Sequence, residues 1–278
     1  MNIEALNLHS NKLQIIPALS NLPNLKILNL RRNQLTNIPL NTFSNNQKLQ
    51  NVAFTQNKLI ALEKDTFPAS LEFLDVKDNK IVNITPDSFA GLKNLSRLLL
   101  HNNPLTNVDP NAFNGIASLE EIFISKAAPK EFPHFKNLPN LRVLSIGDTV
   151  VQEPLKLELP SLQKLTVYNG KLNVFPELKN MSNLLEIDLS RNNLTEITRK
   201  DLQTLKGLKT LRLKMNALSK VDPIVLPSLE TLDLSMNQIR EVDKSMLQYL
   251  GRLKVLRLAS NKVLLFFRFK TDAWLQRS

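Results

Sequence analysis

The stretch Leu229–Ile239 reads Leu-Glu-Thr-Leu-Asp-Leu-Ser-Met-Asn-Gln-Ile, apolar at its first, fourth, sixth and eleventh places with Asn at the ninth. Alternate side chains of a strand point to opposite faces. Leu232 and Leu234 are therefore predicted to enter a core, while Thr231, Asp233 and Ser235 face away. The Asn is predicted to turn the chain out of the strand, because its short amide bonds neighbouring backbone in place of a ladder partner. The frame recurs with Asn11, Asn33, Asn57, Asn79, Asn103, Ala127, Thr149, Gly170, Asn192, Asn216, Asn237 and Asn261 at its ninth place, in steps of 21 to 24 residues. The fourth-place column, Leu6 to Leu256, and the sixth-place column, Leu8 to Leu258, hold only apolar residues, even where the Asn is lost. A fixed period of this size predicts a solenoid whose units bury their apolar faces only against one another.

Phe43, Phe67, Phe89 and Phe113 each follow the Asn slot by ten residues, with Leu202 and Met246-Leu247 in that role later. On these columns the chain resembles the leucine-rich repeat proteins, from Ile3 to about Val263. Segments such as Pro86-Asp-Ser-Phe-Ala-Gly-Leu and Pro110-Asn-Ala-Phe-Asn-Gly-Ile are similar to the subtype common in extracellular proteins, including Toll-type receptors and matrix proteoglycans. The resemblance implies an α/β-type repeat solenoid, a horseshoe of about twelve repeats with a parallel β-sheet on its concave face and short helices, turns or loops on its convex face. A single solenoid domain over residues 1–263 is expected. Residues 264–278, which include Trp274, form a tail that either caps the last strand or marks a truncation.

Between Ser125 and Gly170 the frame loosens. Three successive Asn are replaced by Ala127, Thr149 and Gly170, and Pro129, Pro133, Pro139, Pro154 and Pro160 enter. The loss removes hydrogen bonds between adjacent turns, so a local change of curvature is expected there, without a domain break.

The absence of cysteine changes the picture. Extracellular relatives usually close the ends of the core with disulfide-bonded caps. The sequence therefore reads either as a fragment of a secreted or cell-surface protein or as a cytosolic one. Four sequons, at Asn83, Asn94, Asn180 and Asn193, mark candidate glycosylation positions. The formal charge of +11 is uneven: residues 1–139 hold 14 basic and 11 acidic side chains, and the remainder hold 22 and 14. Such a bias suits anionic glycan or nucleic acid, or simply solvates the convex side.

Catalytic and metal chemistry find no footing in the pattern. The three His (His9, His101, His134) stand at no metal-ligand spacing, and six Gly form no phosphate-cradling loop. The protein is read as non-catalytic, with neither cofactor nor metal. The resemblance implies binding of a protein ligand on the concave face, built from the third, fifth and seventh places. The fifth-place column carries Leu99 and Phe123 side by side, where most positions are polar. The contact patch is placed on these two, with Phe73, His101 and Tyr168 around them and Arg97, Glu121 and Lys126 as a polar rim. Mutual shielding of Leu99 and Phe123 is the alternative. Asp188, Arg212, Asp233 and Arg257 alternate in sign on four successive strands and are predicted to pair directly as a structural ladder. Two other functional readings stand beside the first: a cytosolic scaffold or regulatory subunit using the same face, and a binder of anionic glycan or nucleic acid through the basic C-terminal half.

Overall fold

Residues of one column lie side by side across one parallel sheet. The computed structural model describes residues 2–127, 132–151, 154–242 and 244–266. Its main sheet has twelve strands in chain order: Ala5–Asn7, Ile27–Asn29, Asn51–Ala53, Phe73–Asp75, Arg97–Leu99, Glu121–Ser125, Val143–Gly147, Lys164–Tyr168, Glu186–Asp188, Thr210–Arg212, Thr231–Asp233 and Val255–Arg257. The register holds the fourth-place column together, from Leu6↔Leu28 to Leu232↔Leu256. From Leu28 to Leu232 every residue of that column is buried to 1% exposure or less. Each such side chain contributes about 1.5–3 kcal/mol by leaving water.

The convex side carries little regular structure. Among the described residues it holds a 3-10 turn at Pro86–Phe89, single α-helical turns at Arg199–Leu202 and Lys244–Leu247, and three two-residue parallel pairs. One pair joins Glu241–Val242 to Leu265–Phe266; the rest of the tail, with Trp274, lies outside the described residues. Behind the sheet the Phe column stacks. Phe43 lies 5.7 Å from Phe67, and Phe113 lies between Phe89 and Phe135 at 5.9 and 5.7 Å. No helix among the described residues is long and apolar enough to cross a membrane.

The Asn slot acts as a bridge between turns. Asn57 donates to the Leu30 and Phe54 carbonyls at 2.9 and 2.8 Å and accepts from the Leu35 amide at 3.0 Å. Asn79, Asn103, Asn192, Asn216, Asn237 and Asn261 repeat the pattern. The reversal of the chain, predicted at the Asn, falls one residue earlier. Each residue before the slot, from Ser10 to Ser260, has φ between 47° and 58°, and none is Gly. Such a conformation costs an L-residue about 1–2 kcal/mol, offset by bonds between turns that persist at Lys126, where no Asn follows. The Ser10, Lys126 and Met236 amides donate to the Arg31, Gly147 and Ala259 carbonyls at 2.8, 3.0 and 2.7 Å.

Where the Asn is missing, the ladder lengthens. The strands Glu121–Ser125, Val143–Gly147 and Lys164–Tyr168 run five residues instead of three. Extra pairs Ile124↔Ile146 and Ser125↔Gly147 take up backbone groups at the strand ends. Thr149 accepts from the Ala127 amide, and Gly170 donates to Asn192 Oδ1 at 2.9 Å. A Cβ at Gly170 would stand 2.8 Å from Val167 Cγ1, so any side chain in that slot would force Val167 to shift.

Candidate functional site

The third, fifth and seventh places form the concave surface, as the alternation requires. Five fifth-place residues do more there than meet solvent. Asn7, Asn29, Asp75, Asp188 and Asp233 each accept from the backbone amide two residues on, at 2.9 to 3.3 Å, and so hold the strand end. This local bond is an ordinary property of Asx side chains.

Phe73, Leu99, His101 and Phe123 come together. Phe73 stands in register with Arg97, and Leu99 with Phe123. The Arg97 guanidinium lies 5.8 Å from both the Phe73 and Phe123 ring centroids, while its Nε meets Glu121 Oε2 at 2.8 Å. Rim and patch are therefore one unit, with Arg97 clamped between two aromatic rings. Two expectations need correction. Leu99 is buried at 8% exposure, with Asp75 and Phe123 in register on either side of it, so Phe73 and Phe123 carry the accessible apolar area. Tyr168 is separated from Phe123 by the strand Val143–Gly147 and instead sits under Arg191, whose guanidinium is 5.4 Å from its ring.

His101 packs edge-on against Phe123, with centroids 6.5 Å apart, and its Nδ1 is buried without a hydrogen-bond partner among the described residues. Burial, and then the charge of Lys77, hold its imidazole below the ordinary value of 6.5, against smaller opposing effects of Asp75 and Asp78. The unfolded chain therefore binds this proton more readily, and folding stability falls as pH drops from 6.5 toward the lowered folded value. Tm measured across that window is expected to lose part of its slope in His101→Gln; an unchanged slope would assign the acid sensitivity elsewhere.

Asp75 is the feature that column reading missed. Its carboxylate is fully buried, accepting from Arg31 Nη2 at 2.8 Å and from the Thr55 hydroxyl at 2.6 Å. Arg31 reaches it across the third strand, where Ala53 and Thr55 are short. The available signal was a basic seventh place followed two repeats later by an acidic fifth place, with small residues between them.

The expected charge ladder has the predicted register but not the predicted contacts. Asp188, Arg212, Asp233 and Arg257 are neighbours across the sheet. Among the described residues, however, no ion pair joins them. Arg212 Nη1 meets Glu186 Oε2 at 3.6 Å, and both carboxylates are committed to their own strand ends. Arg212→Ala is expected to change stability by about 1 kcal/mol or less, since exposed pairs contribute ~0.2–1 kcal/mol. Urea denaturation checks this, and a larger loss would show a role beyond the Glu186 contact.

All four sequon residues, Asn83, Asn94, Asn180 and Asn193, are exposed. Among the described residues no group of three or more metal-ligating side chains could hold a metal ion.

Two family models, both described as leucine-rich repeat, match residues 69–126 and 207–263, and residues 24–46 and 183–205. Together they take in more than half of the chain. No curated protein sequence matches at a significant level. Solved structures do. A leucine-rich repeat protein of Leptospira interrogans superposes with TM-score 0.80 at 27% identity, over 94% of this chain and 71% of that one. A chain of the Drosophila Toll–Spatzle complex gives TM-score 0.80 at 21% identity, over 91% of this chain and 35% of that one. An internalin of Listeria monocytogenes gives 0.69 at 22%, over 95% and 80%. The last two likenesses are of fold alone. With its repeat frame, its Asn bridges and these matches, the chain belongs to the leucine-rich repeat family.

Proposed function

We propose that this protein is a non-catalytic recognition module of the secreted or cell-surface kind, binding a protein ligand on its concave face around Phe73, Arg97 and Phe123. Leucine-rich repeat domains typically serve as interaction modules. The observation that carries the reading is the aromatic clamp: two large rings, half-buried on a face of mostly polar side chains, with an Arg held at 5.8 Å from each. Aromatic and Arg side chains dominate the energetic centres of protein interfaces, where a partner removes them from water. Exposed sequons support the extracellular compartment. The cytosolic scaffold remains the rival, favoured by the lack of cysteine. The basic C-terminal half supports anionic binding less well, because Lys156, Lys164, Arg212 and Lys254 are engaged by glutamates.

A photo-crosslinker at position 123 identifies the partner, and the affinity of the purified pair is then measured. Phe73→Ser and Phe123→Ser are each expected to weaken binding by about tenfold or more, a loss of ~1.4 kcal/mol, with Tm little changed. Full affinity in both variants would return the two rings to local packing.

A further inference from the structure

We infer that the concave face over the first to fifth repeats holds a two-part site for a partner segment that presents a large apolar side chain beside a carboxylate. The inference rests on the concave face being the interaction surface, and it names the partner's chemistry. The first part is a recess of about 490 Å³ walled by Ile27 and Phe73. In the register both flank Asn51, so they stand two strand spacings apart, roughly 10 Å. The short side chains of Asn51 and Ala53 leave the floor low between them. Ile27 is 46% exposed, an apolar wall facing water.

The second part lies on the other side of Asn29 and Arg31, which line both. It is a groove of about 400 Å³ to which His9, Arg31, Arg32 and Lys77 contribute. Volumes of this order suit one or two side chains rather than a folded domain. Arg31 is anchored from below by buried Asp75, and Arg32 Nε donates to Gln56 Oε1 at 2.8 Å, so both guanidinium groups are positioned in advance. Neither Arg32 nor Lys77 has an ion pair among the described residues. Three carboxylates oppose an acid here and are already engaged: Asp75 accepts from Arg31 at 2.8 Å, Asp78 from Asn102 at 2.7 Å, and Glu72, which lines the recess, from Gln50 at 3.1 Å. The balance leaves Arg32 and Lys77 without an ion pair on the groove side among the described residues. On the recess side it leaves an unfilled slot that Arg97 and Ser96 line along with Ile27 and Phe73, with Asn29 and Arg31 between the two.

A displayed library of random peptides is the probe. On the wild-type protein, enriched peptides are expected to carry Asp or Glu within a few positions of Leu, Ile, Met or an aromatic residue. Asn51→Trp, which fills the recess from a partly exposed position, is expected to weaken them about tenfold or more. Ile27→Ser, which removes a wall, provides a second variant with no added bulk. Arg32→Gln combined with Lys77→Gln is expected to erase the acidic preference while the apolar one survives. Tm confirms that each variant is folded. No enrichment, enrichment without an acid, or enriched peptides indifferent to both recess variants overturns the two-part site. Phe123 lines neither part. Peptides lost only on Phe123→Ser therefore overturn this site and leave the concave-face reading standing, whereas peptides indifferent to all these variants overturn both.

Discussion

Asn103→Ala is expected to destabilise the protein by about 3–4 kcal/mol, roughly twice the cost of Asn57→Ala, although the two side chains make the same three bonds. The difference comes from what each substitution leaves behind. Removing Asn57 orphans one buried group, the Leu35 amide, because the Leu30 carbonyl keeps Asn33 and the Phe54 carbonyl keeps Asn79. Removing Asn103 orphans two, the Ile81 amide and the Leu100 carbonyl. The next slot holds Ala127, which has no amide to offer Leu100, while the Val76 carbonyl keeps Asn79. A buried group left unbonded costs about 1–3 kcal/mol. Urea denaturation of both variants checks the ratio, and equal losses would show that the break in the Asn column is energetically silent.

The columns could be read so completely because each repeat solves the same local problem. Period-2 alternation placed Leu232 and Leu234 in the core, and the register confirmed that every fifth-place residue neighbours the next. What escaped belongs to neighbours in space rather than to the period. The left-handed residue of each turn is Ser10 in one repeat and Met236 in another. Met236 is not a residue type that marks a turn, and the bond from its own amide to the Ala259 carbonyl of the next turn is visible only once the turns are stacked. Leu99 is buried between Asp75 and Phe123, each a whole repeat away. The predicted pairing of Asp188 and Asp233 with Arg failed because a bond to a backbone amide two residues on costs less side-chain ordering than a cross-strand ion pair. The Arg31–Asp75 contact joins residues 44 apart and is visible only once the strands are stacked. Within the candidate site, Phe73 and Phe123 were recognisable by composition. Arg97 was recognised only as rim, since its place between two rings needs the third- and fifth-place columns together.

Phe113→Ala is expected to cost about 3–5 kcal/mol, and its effect should be felt unevenly along the chain. Phe113 is fully buried and stacks on Phe89 and Phe135 with interplanar angles of 24° and 7°. Phe43, also buried, stacks only on Phe67 among the described residues. Losing Phe113 therefore removes two ring contacts as well as leaving a cavity, and each contact adds ~0.5–1.5 kcal/mol beyond burial. Phe135 in turn packs edge-on against Phe132 at 5.9 Å, in the stretch where the Asn bridges between turns are lost. A solenoid couples each repeat mainly to its neighbours. Hydrogen exchange in Phe113→Ala is thus expected to quicken first around Phe132 to Leu141 and the Glu121–Ser125 strand. Protection at Leu232 and Leu234 should persist, because no ring or Asn bridge of those repeats touches the cavity. Loss of protection at all sites together, at the same denaturant concentration, would show instead that the twelve repeats unfold as one unit and that the Phe stack is not a local device.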